Sequence, residues 1–220
     1  MTGMEIVDPV AATGLFGYAW LMIALPALGA LLLLVFGRWI EKIGPYLAVL
    51  MIAGSFVVAL ALFLQQLGAP ADHRAVSVPL YTWFATGSWQ VEVGLLIDQL
   101  SILFALLITG VGGLIHVYSL GYMAHDERKR RFFGYLNLFV AAMLTLVLAD
   151  NYLVLFVGWE GVGLASYLLI GFWQHKPSAA AAAKKAFVMN RVGDFGMILA
   201  ISTMLAMFGS SAFSDVNHGA

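Results

Sequence analysis

The chain has 220 residues, of which 62% are hydrophobic and 10% charged. An average soluble domain carries about 25% charged residues, so this composition excludes a water-soluble surface. Eleven Lys and Arg residues stand against 12 Asp and Glu, and no basic excess is present to attract a nucleic acid. The chain has no cysteine, which excludes disulfides, iron–sulfur clusters and thiolate metal sites within it.

Six apolar segments are long enough to cross the ~30 Å hydrocarbon core of a bilayer, which takes roughly 20 helical residues. Residues 1–13 lack the basic stretch of a cleavable signal peptide, so the first segment is expected to be a permanent span. Backbone groups must be hydrogen-bonded internally in lipid, which makes the spans helices. The sequence therefore predicts an all-α, polytopic transmembrane bundle that forms one domain over residues 1–220. Its spans are expected near 15–36, 43–64, 100–123, 132–149, 152–173 and 186–208.

The connection between the second and third spans, residues 68–97, carries the only strand signals. Apolar residues alternate at 76–80 and again at 89–93, on either side of Ala85-Thr86-Gly87-Ser88. This pattern predicts a small β-hairpin outside the membrane. The alanine run at 179–183 is interpreted as a loop that passes into the start of the sixth helix.

Basic residues predict the orientation of the bundle. Nine lie in the loops that follow the first, third and fifth spans, and one, Arg74, lies on the opposite side. Cytoplasmic loops are enriched in Lys and Arg, so both termini and the hairpin are expected outside.

Glu160, in the fifth span, is the most informative residue. It lies eight residues from the start of that span, about 12 Å deep at 1.5 Å per residue. Ionisable groups at such a depth usually face the bundle interior and often mark an ion pathway. Glu160 is thus a candidate proton carrier, the alternative being a structural glutamate bonded to a neighbouring helix. Gly161 and Ala165 predict a close helix contact, and Gly158 and Gly163 are expected to leave room for water.

The sixth span carries further candidates for a proton pathway. Arg191 and Asp194 are three residues apart and share one helix face, so they are expected to form an ion pair. Asp194 is also expected to face Glu160 across a common polar interior, because the two helices are antiparallel. Lys185 and the adjacent Lys184 are either part of a proton path or anchors whose amines reach the membrane surface.

Two residues near the third span are weaker candidates. His116 lies within that span and titrates near neutral pH, so it is either a proton relay or a hydrogen-bonded structural histidine. Asp98 precedes the span and is expected to cap its first turn. No nucleotide-binding, serine hydrolase or zinc-protease motif is present.

The polar positions of the chain match those of a known family. The relevant segments are 98–101 (DQLS), 115–119 (IHVYS), 131–139 (RFFGYLNLF), 149–153 (ADNYL), 158–172 (GWEGVGLASYLLIGF), and 185–187 (KAF) with 191–194 (RVGD). They resemble the subunit L family of bacterial NADH-quinone oxidoreductase, or respiratory complex I, which is equivalent to chain 5 of the mitochondrial enzyme. The resemblance extends over nearly the whole chain and is densest between residues 90 and 196.

The resemblance implies an antiporter-like subunit that translocates protons within an enzyme that oxidises NADH and reduces quinone. In this family Glu160 matches the essential mid-membrane glutamate, and Asp194, Lys185 and His116 match polar positions of neighbouring helices. NADH, FMN, iron–sulfur clusters and quinone would be bound by the parent complex, with no cofactor in this chain. Other membrane-arm subunits and the lipid bilayer would be its partners, and a bacterial plasma membrane its location rather than the mitochondrial inner membrane.

Family members are longer and contain a broken helix with a lysine that pairs with the glutamate. The resemblance therefore implies that these residues are the N-terminal portion of a longer protein. Two other functions remain open, namely a subunit of a multisubunit Na+/H+ antiporter and a structural membrane scaffold. Glu160 near the membrane midplane argues against a scaffold, which would not need a carboxylate there. In the antiporter family, the residues that follow the tryptophan–glutamate pair usually differ from the Gly161-Val162-Gly163 found in this sequence.

Overall fold

A computed structural model describes residues 9–36, 39–70, 73–86 and 89–219. Its main helices are α1 (Leu21–Val35), α2 (Gly44–Leu67), α3 (Gln99–Tyr122), α4 (Lys129–Leu148), α5 (Tyr152–Ile170) and α6 (Pro177–Phe208). A 3-10 turn, Gly14–Tyr18, precedes α1, and a short helix, α7 (Phe213–Gly219), follows α6. Six of the described helical segments are long and apolar enough to cross a membrane, which confirms the predicted transmembrane bundle.

The start of α6 differs most from the prediction. The helix begins at Pro177, nine residues before the expected boundary at 186, and the alanine run lies entirely within it. Backbone N–H groups in the first turn of a helix have no acceptor within that helix. Proline, which has no N–H, is therefore favoured at this position. Alanine has the highest helix propensity, so the interpretation of 179–183 as a loop was wrong. When the 3-10 turn is counted with α1, the other predicted boundaries lie within three residues of the observed ones.

Short connections give the bundle two distinct ends. At the basic end, α1, α3 and α5 finish and α2, α4 and α6 begin, close to the basic loops. At the hairpin end, β2 (Val76–Thr86) and β3 (Trp89–Ile97) form the expected antiparallel hairpin, which confirms the strand prediction. A third strand, β1 (Val10–Ala11), which was not predicted, pairs in parallel with β2.

The β-hairpin is packed onto the helices rather than extended from them. Val76, Val78, Leu95 and Ile97 are buried in one apolar cluster with side chains of the helices, among them Leu148 at the end of α4. α4 packs against α1, α2, α3 and α5, whereas α6 contacts the bundle mainly through α5. The site described below therefore lies between the core of the bundle and its outermost helix.

The N-terminus of α3 is fixed by a capping box. The Asp98 carboxylate accepts a hydrogen bond from the Ser101 amide at 2.7 Å, and the Ser101 hydroxyl oxygen accepts one from the Asp98 amide at 2.8 Å. These bonds satisfy helix N–H groups that have no partner within the helix. The predicted capping role of Asp98 is confirmed.

Candidate functional site

Glycines bring α5 close to α4. A Cβ atom at Gly158 would lie 2.5 Å from the Leu146 backbone nitrogen, and one at Gly161 would lie 2.8 Å from the Ala142 Cβ. The close contact predicted from Gly161 is therefore present. The expectation that Gly158 leaves room for water is wrong, because the α4 backbone occupies that space. The face of α5 that carries Gly158 and Gly161 is therefore turned towards α4. Glu160 lies on the face of α5 that is turned towards α6.

Glu160 forms an ion cluster with two residues of α6. Arg191 Nη1 lies 2.8 Å from Glu160 Oε1 and 3.3 Å from Asp194 Oδ2. The predicted Arg191–Asp194 pair is confirmed, and so is the common position of the two carboxylates. One guanidinium thus bridges carboxylates from two antiparallel helices, inside segments whose other side chains are mainly apolar. We call Glu160, Arg191 and Asp194 the charge triad.

Trp159 completes the surroundings of Asp194. Its indole Nε1 donates a hydrogen bond to Asp194 Oδ1 at 2.8 Å, so each Asp194 oxygen has its own partner. A buried carboxylate needs such bonds, and Asp194 is only 4% exposed. Sequence reasoning missed Trp159. The sequence does contain an indication of its role, because an indole N–H in an apolar segment needs a hydrogen-bond acceptor.

The three charged side chains differ in exposure. The Asp194 side chain is 6% exposed, Glu160 is 27% exposed, and Arg191 is 50% exposed. The Arg191 guanidinium lies 4.8 Å from the ring centre of Phe187, a cation–π contact that places it over an aromatic face. Phe187 in turn packs edge-on against Tyr167 of α5, with ring centres 5.5 Å apart. The Arg191 guanidinium is therefore held by the two carboxylates and the Phe187 ring, and the rest of its side chain is exposed.

Lys185 is not brought to the charge triad. It is exposed, and nine residues separate it from Asp194, which is two and a half helical turns or about 13 Å along the axis. That spacing places the two residues on opposite faces of α6. Lys184 instead lies almost in line with Arg191, seven residues along the same helix.

His116 also lies apart from the charge triad. It is about 26 Å along α3 from the hairpin end, compared with about 12 Å for Glu160 along α5. Its ring packs near Phe133 of α4, and its Nδ1 atom is 2.7 Å from the Gly112 carbonyl oxygen. The Nε2 atom is buried and has no hydrogen-bond partner among the described residues. A relay through His116 would therefore need another group at Nε2.

A second polar junction lies at the hairpin end, between α4 and α5. The Asn151 side chain caps α5 by accepting bonds from the Leu153 and Val154 amides, and donates one to the Glu92 carbonyl oxygen at 2.8 Å. Burial raises the pKa of the adjacent Asp150 carboxyl above its ordinary value. These bonds connect the β-hairpin to the turn that precedes Glu160.

Another fixed turn closes the basic end, between α5 and α6. The Trp173 indole donates to Asp126 Oδ2 at 3.0 Å. This hydrogen bond, together with the Arg128 amide and nearby positive charges, lowers the pKa of the Asp126 carboxyl. Both ends of α5 are thus attached to neighbouring loops by hydrogen bonds.

The described residues contain no group of three or more His, Cys, Asp or Glu side chains placed to hold a metal ion. The charge triad itself consists of two carboxyl groups, which can each bind a proton, and one guanidinium group. Six long apolar helices with a charged site between two of them define a polytopic α-helical membrane protein.

Family models and relatives give a more specific classification. One model, described as the N-terminus of chain 5 of NADH-ubiquinone oxidoreductase (complex I), matches residues 83–133. A second, described as the transmembrane region of NADH:quinone oxidoreductase and Mrp antiporters, matches residues 149–219, which include the charge triad. The chain belongs to this family of antiporter-like membrane subunits.

Curated relatives agree with this classification. NADH-quinone oxidoreductase subunit L of Mycobacterium tuberculosis is 55% identical over 202 residues, which cover 92% of this chain and 32% of the relative. The F(420)H(2) dehydrogenase subunit L of Methanosarcina mazei is 46% identical over 201 residues, 90% of this chain and 29% of the relative. The chain thus spans about a third of the length of these relatives.

A solved structure supports the fold. A chain in the structure of the membrane-bound sulfane sulfur reductase, an archaeal respiratory membrane complex, superposes with a TM-score of 0.77 at 19% identity. The match covers 92% of this chain and 40% of that one. At this identity the likeness concerns the arrangement of helices.

Proposed function

We propose that the chain contributes a proton-exchanging site to a membrane-arm subunit of NADH:quinone oxidoreductase, in which NADH oxidation and quinone reduction drive proton pumping. The observation that carries this proposal is the charge triad, two carboxylates that share one guanidinium within the membrane. Such groups are costly in lipid and are typical of ion pathways. A scaffold has no use for them.

The charge balance of the triad suits the uptake of a single proton. With both carboxylates ionised, its net charge is −1, and one added proton makes it neutral. Asp194 is nearly buried, and both of its carboxylate oxygens have a partner, one in Trp159 and the other in Arg191. Glu160 has the more exposed side chain and receives the proton. Arg191 then remains paired with Asp194, and the reverse step restores its bond to Glu160.

Lys185 and His116 belong to the proposed proton pathway through the family resemblance. Lys185 lies towards the basic end of α6, which is the cytoplasmic end in the predicted orientation and the side from which protons would enter. His116 would take part through Nε2, which is free of a partner among the described residues. Both are at a distance from the charge triad, so water or other groups would have to connect them to it.

The parent complex supplies what this chain lacks. NADH, FMN, iron–sulfur clusters and quinone would be held by other subunits, and the partners of this chain would be neighbouring membrane-arm subunits. The location proposed is the plasma membrane of a bacterium, in agreement with relatives from Mycobacterium and Neisseria.

A Na+/H+ antiporter subunit is the second candidate function. The observation in its favour is that the model matching residues 149–219 describes Mrp antiporters as well as NADH:quinone oxidoreductase. In that case the same triad would exchange protons against sodium, and transport would depend on sodium rather than on NADH.

Glu160→Gln in the intact complex tests the proposal. The substitution keeps the size of the side chain and removes its ability to carry a proton, so we expect the number of protons pumped per electron to fall while the complex still assembles. Proton uptake and NADH oxidation in sealed vesicles measure this ratio. Glu127→Gln is the matched control, because Glu127 is an exposed glutamate in the loop between α3 and α4. An unchanged ratio in assembled Glu160→Gln complex would contradict the role of Glu160.

A further inference from the structure

A basic pocket of about 250 Å³ lies at the basic end, where α4 begins, α5 ends and α6 begins. Three cationic side chains line it, those of Arg128, Arg131 and Lys184, together with Tyr135 and Tyr167. No carboxylate is among the described lining residues. The volume equals that of about eight water molecules, taking ~30 Å³ for each.

Two of the cations have no side-chain partner among the described residues. Within the described parts of the chain, neither Arg131 nor Lys184 forms an ion pair or a side-chain hydrogen bond. Arg128 is better fixed, with Nη2 3.4 Å from His175 Nδ1 and the guanidinium 5.5 Å from the Phe172 ring centre. A concave site with unpaired positive charges favours an anion, and the tyrosine hydroxyls can add hydrogen bonds.

The location of the basic pocket identifies the kind of anion. Its walls are the ends of three membrane-spanning helices, so it opens at the level where the headgroups of the bilayer lie. Tyrosines and basic residues are typical of this level. Basic pockets between transmembrane helices on the cytoplasmic side bind phosphate-containing headgroups.

We propose that the basic pocket binds the phosphate headgroup of an anionic glycerophospholipid from the leaflet at the basic end. Arg131 and Lys184 contact the phosphate, and the two tyrosines bond its oxygens. The bound lipid joins the starts of α4 and α6, and α6 otherwise contacts the described bundle mainly through α5. The inference does not depend on proton transfer by Glu160.

The test uses the purified full-length complex in nanodiscs of phosphatidylcholine that contain a minor fraction of phosphatidylglycerol with a photoreactive group close to the headgroup. Irradiation and peptide mass spectrometry then map the adducts. We expect adducts on residues 128–135 and 167–184, and fewer there when the probe is phosphatidylcholine, whose choline cation cancels the charge of the phosphate. The variant Arg131→Gln with Lys184→Gln removes two charges and should lower the preference for phosphatidylglycerol roughly 30-fold.

Lys42→Gln with Lys129→Gln is the matched control, since it removes two charges at the same end without altering the lining of the basic pocket. Lys184→Gln alone provides a milder variant if the double variant does not assemble. Equal labelling in the pocket variants and the control, or labelling elsewhere only, would overturn the proposal. Displacement of the lipid by millimolar inorganic phosphate would also overturn it, since the ligand would then be a soluble anion.

Discussion

At the scale of single residues, the main finding is that Arg191 has two carboxylate partners rather than one. The sequence predicts that Arg191 pairs with Asp194 and that Glu160 faces Asp194 across a common polar interior, but it does not predict a bond between Arg191 and Glu160. The structure instead places Glu160 Oε1 nearer to the guanidinium than Asp194 Oδ2, at 2.8 Å compared with 3.3 Å. In the function proposed above, protonation of Glu160 would leave Arg191 paired with Asp194 alone, which would couple a proton to a movement of charge.

The indole of Trp159 should be needed to hold Asp194 in this arrangement. Trp159→Phe keeps an aromatic ring but removes a hydrogen bond to a charged group, worth about 1.5–3 kcal/mol. We expect fewer protons pumped per electron, at a level between those of the unmodified complex and Glu160→Gln. Trp173→Phe is the matched control, because it also removes an indole bond to a carboxylate, Asp126, but outside the membrane spans. Equal effects of the two substitutions would rule out a specific role for Trp159.

At the scale of elements, the position of Glu160 depends on how closely α5 packs against α4. The sequence signal for this contact was the pair Gly161 and Ala165, which the structure confirms. The closest approach, however, is at Gly158, where the facing surface is backbone. A glycine in one helix shows that a close neighbour is possible, but the facing residue depends on the rotation of both helices.

Gly158→Ala should destabilise the packing of α4 and α5. The added methyl group would lie 2.5 Å from the Leu146 backbone nitrogen, so the helices must move apart, at a cost of about 1–3 kcal/mol. We expect a lower thermal unfolding temperature of the assembled complex. Gly113→Ala is the control, since nothing lies within 4 Å of a Cβ at that position of α3. A Gly158→Ala complex as stable as the control would show that α4 and α5 are not packed as closely as described.

At the scale of the whole molecule, the two ends of the bundle should lie on opposite sides of the membrane. These 220 residues contain no cysteine, so single cysteines can be introduced as reporters. We expect Gly68→Cys at the hairpin end to react with an impermeant maleimide from outside intact cells. Glu127→Cys at the basic end should react only after permeabilisation. The reverse pattern would invert the predicted orientation.

Much of this architecture could be predicted from the sequence because a bilayer requires long apolar helices of defined length. The spans, the β-hairpin and the Asp98 cap follow from hydrophobicity, alternation and local hydrogen bonding. The strand β1 was missed because it consists of only two residues. The start of α6 was missed because the helix propensity of its alanine run was given too little weight. The sequence shows that the Trp159 indole needs an acceptor, but the choice of Asp194 depends on the mutual rotation of two helices, which a single sequence does not give.

The central claim is that Glu160 takes up a proton as its bond to Arg191 breaks and releases the proton as that bond forms again, with Arg191 paired to Asp194 throughout. Infrared difference spectroscopy of the intact complex, between its resting state and steady turnover with NADH and quinone, tests this claim most directly. We predict a carboxylic acid band that is absent in Glu160→Gln and shifted in Arg191→Lys, but unchanged in the control Glu127→Gln. Identical difference spectra in all four complexes would contradict the claim.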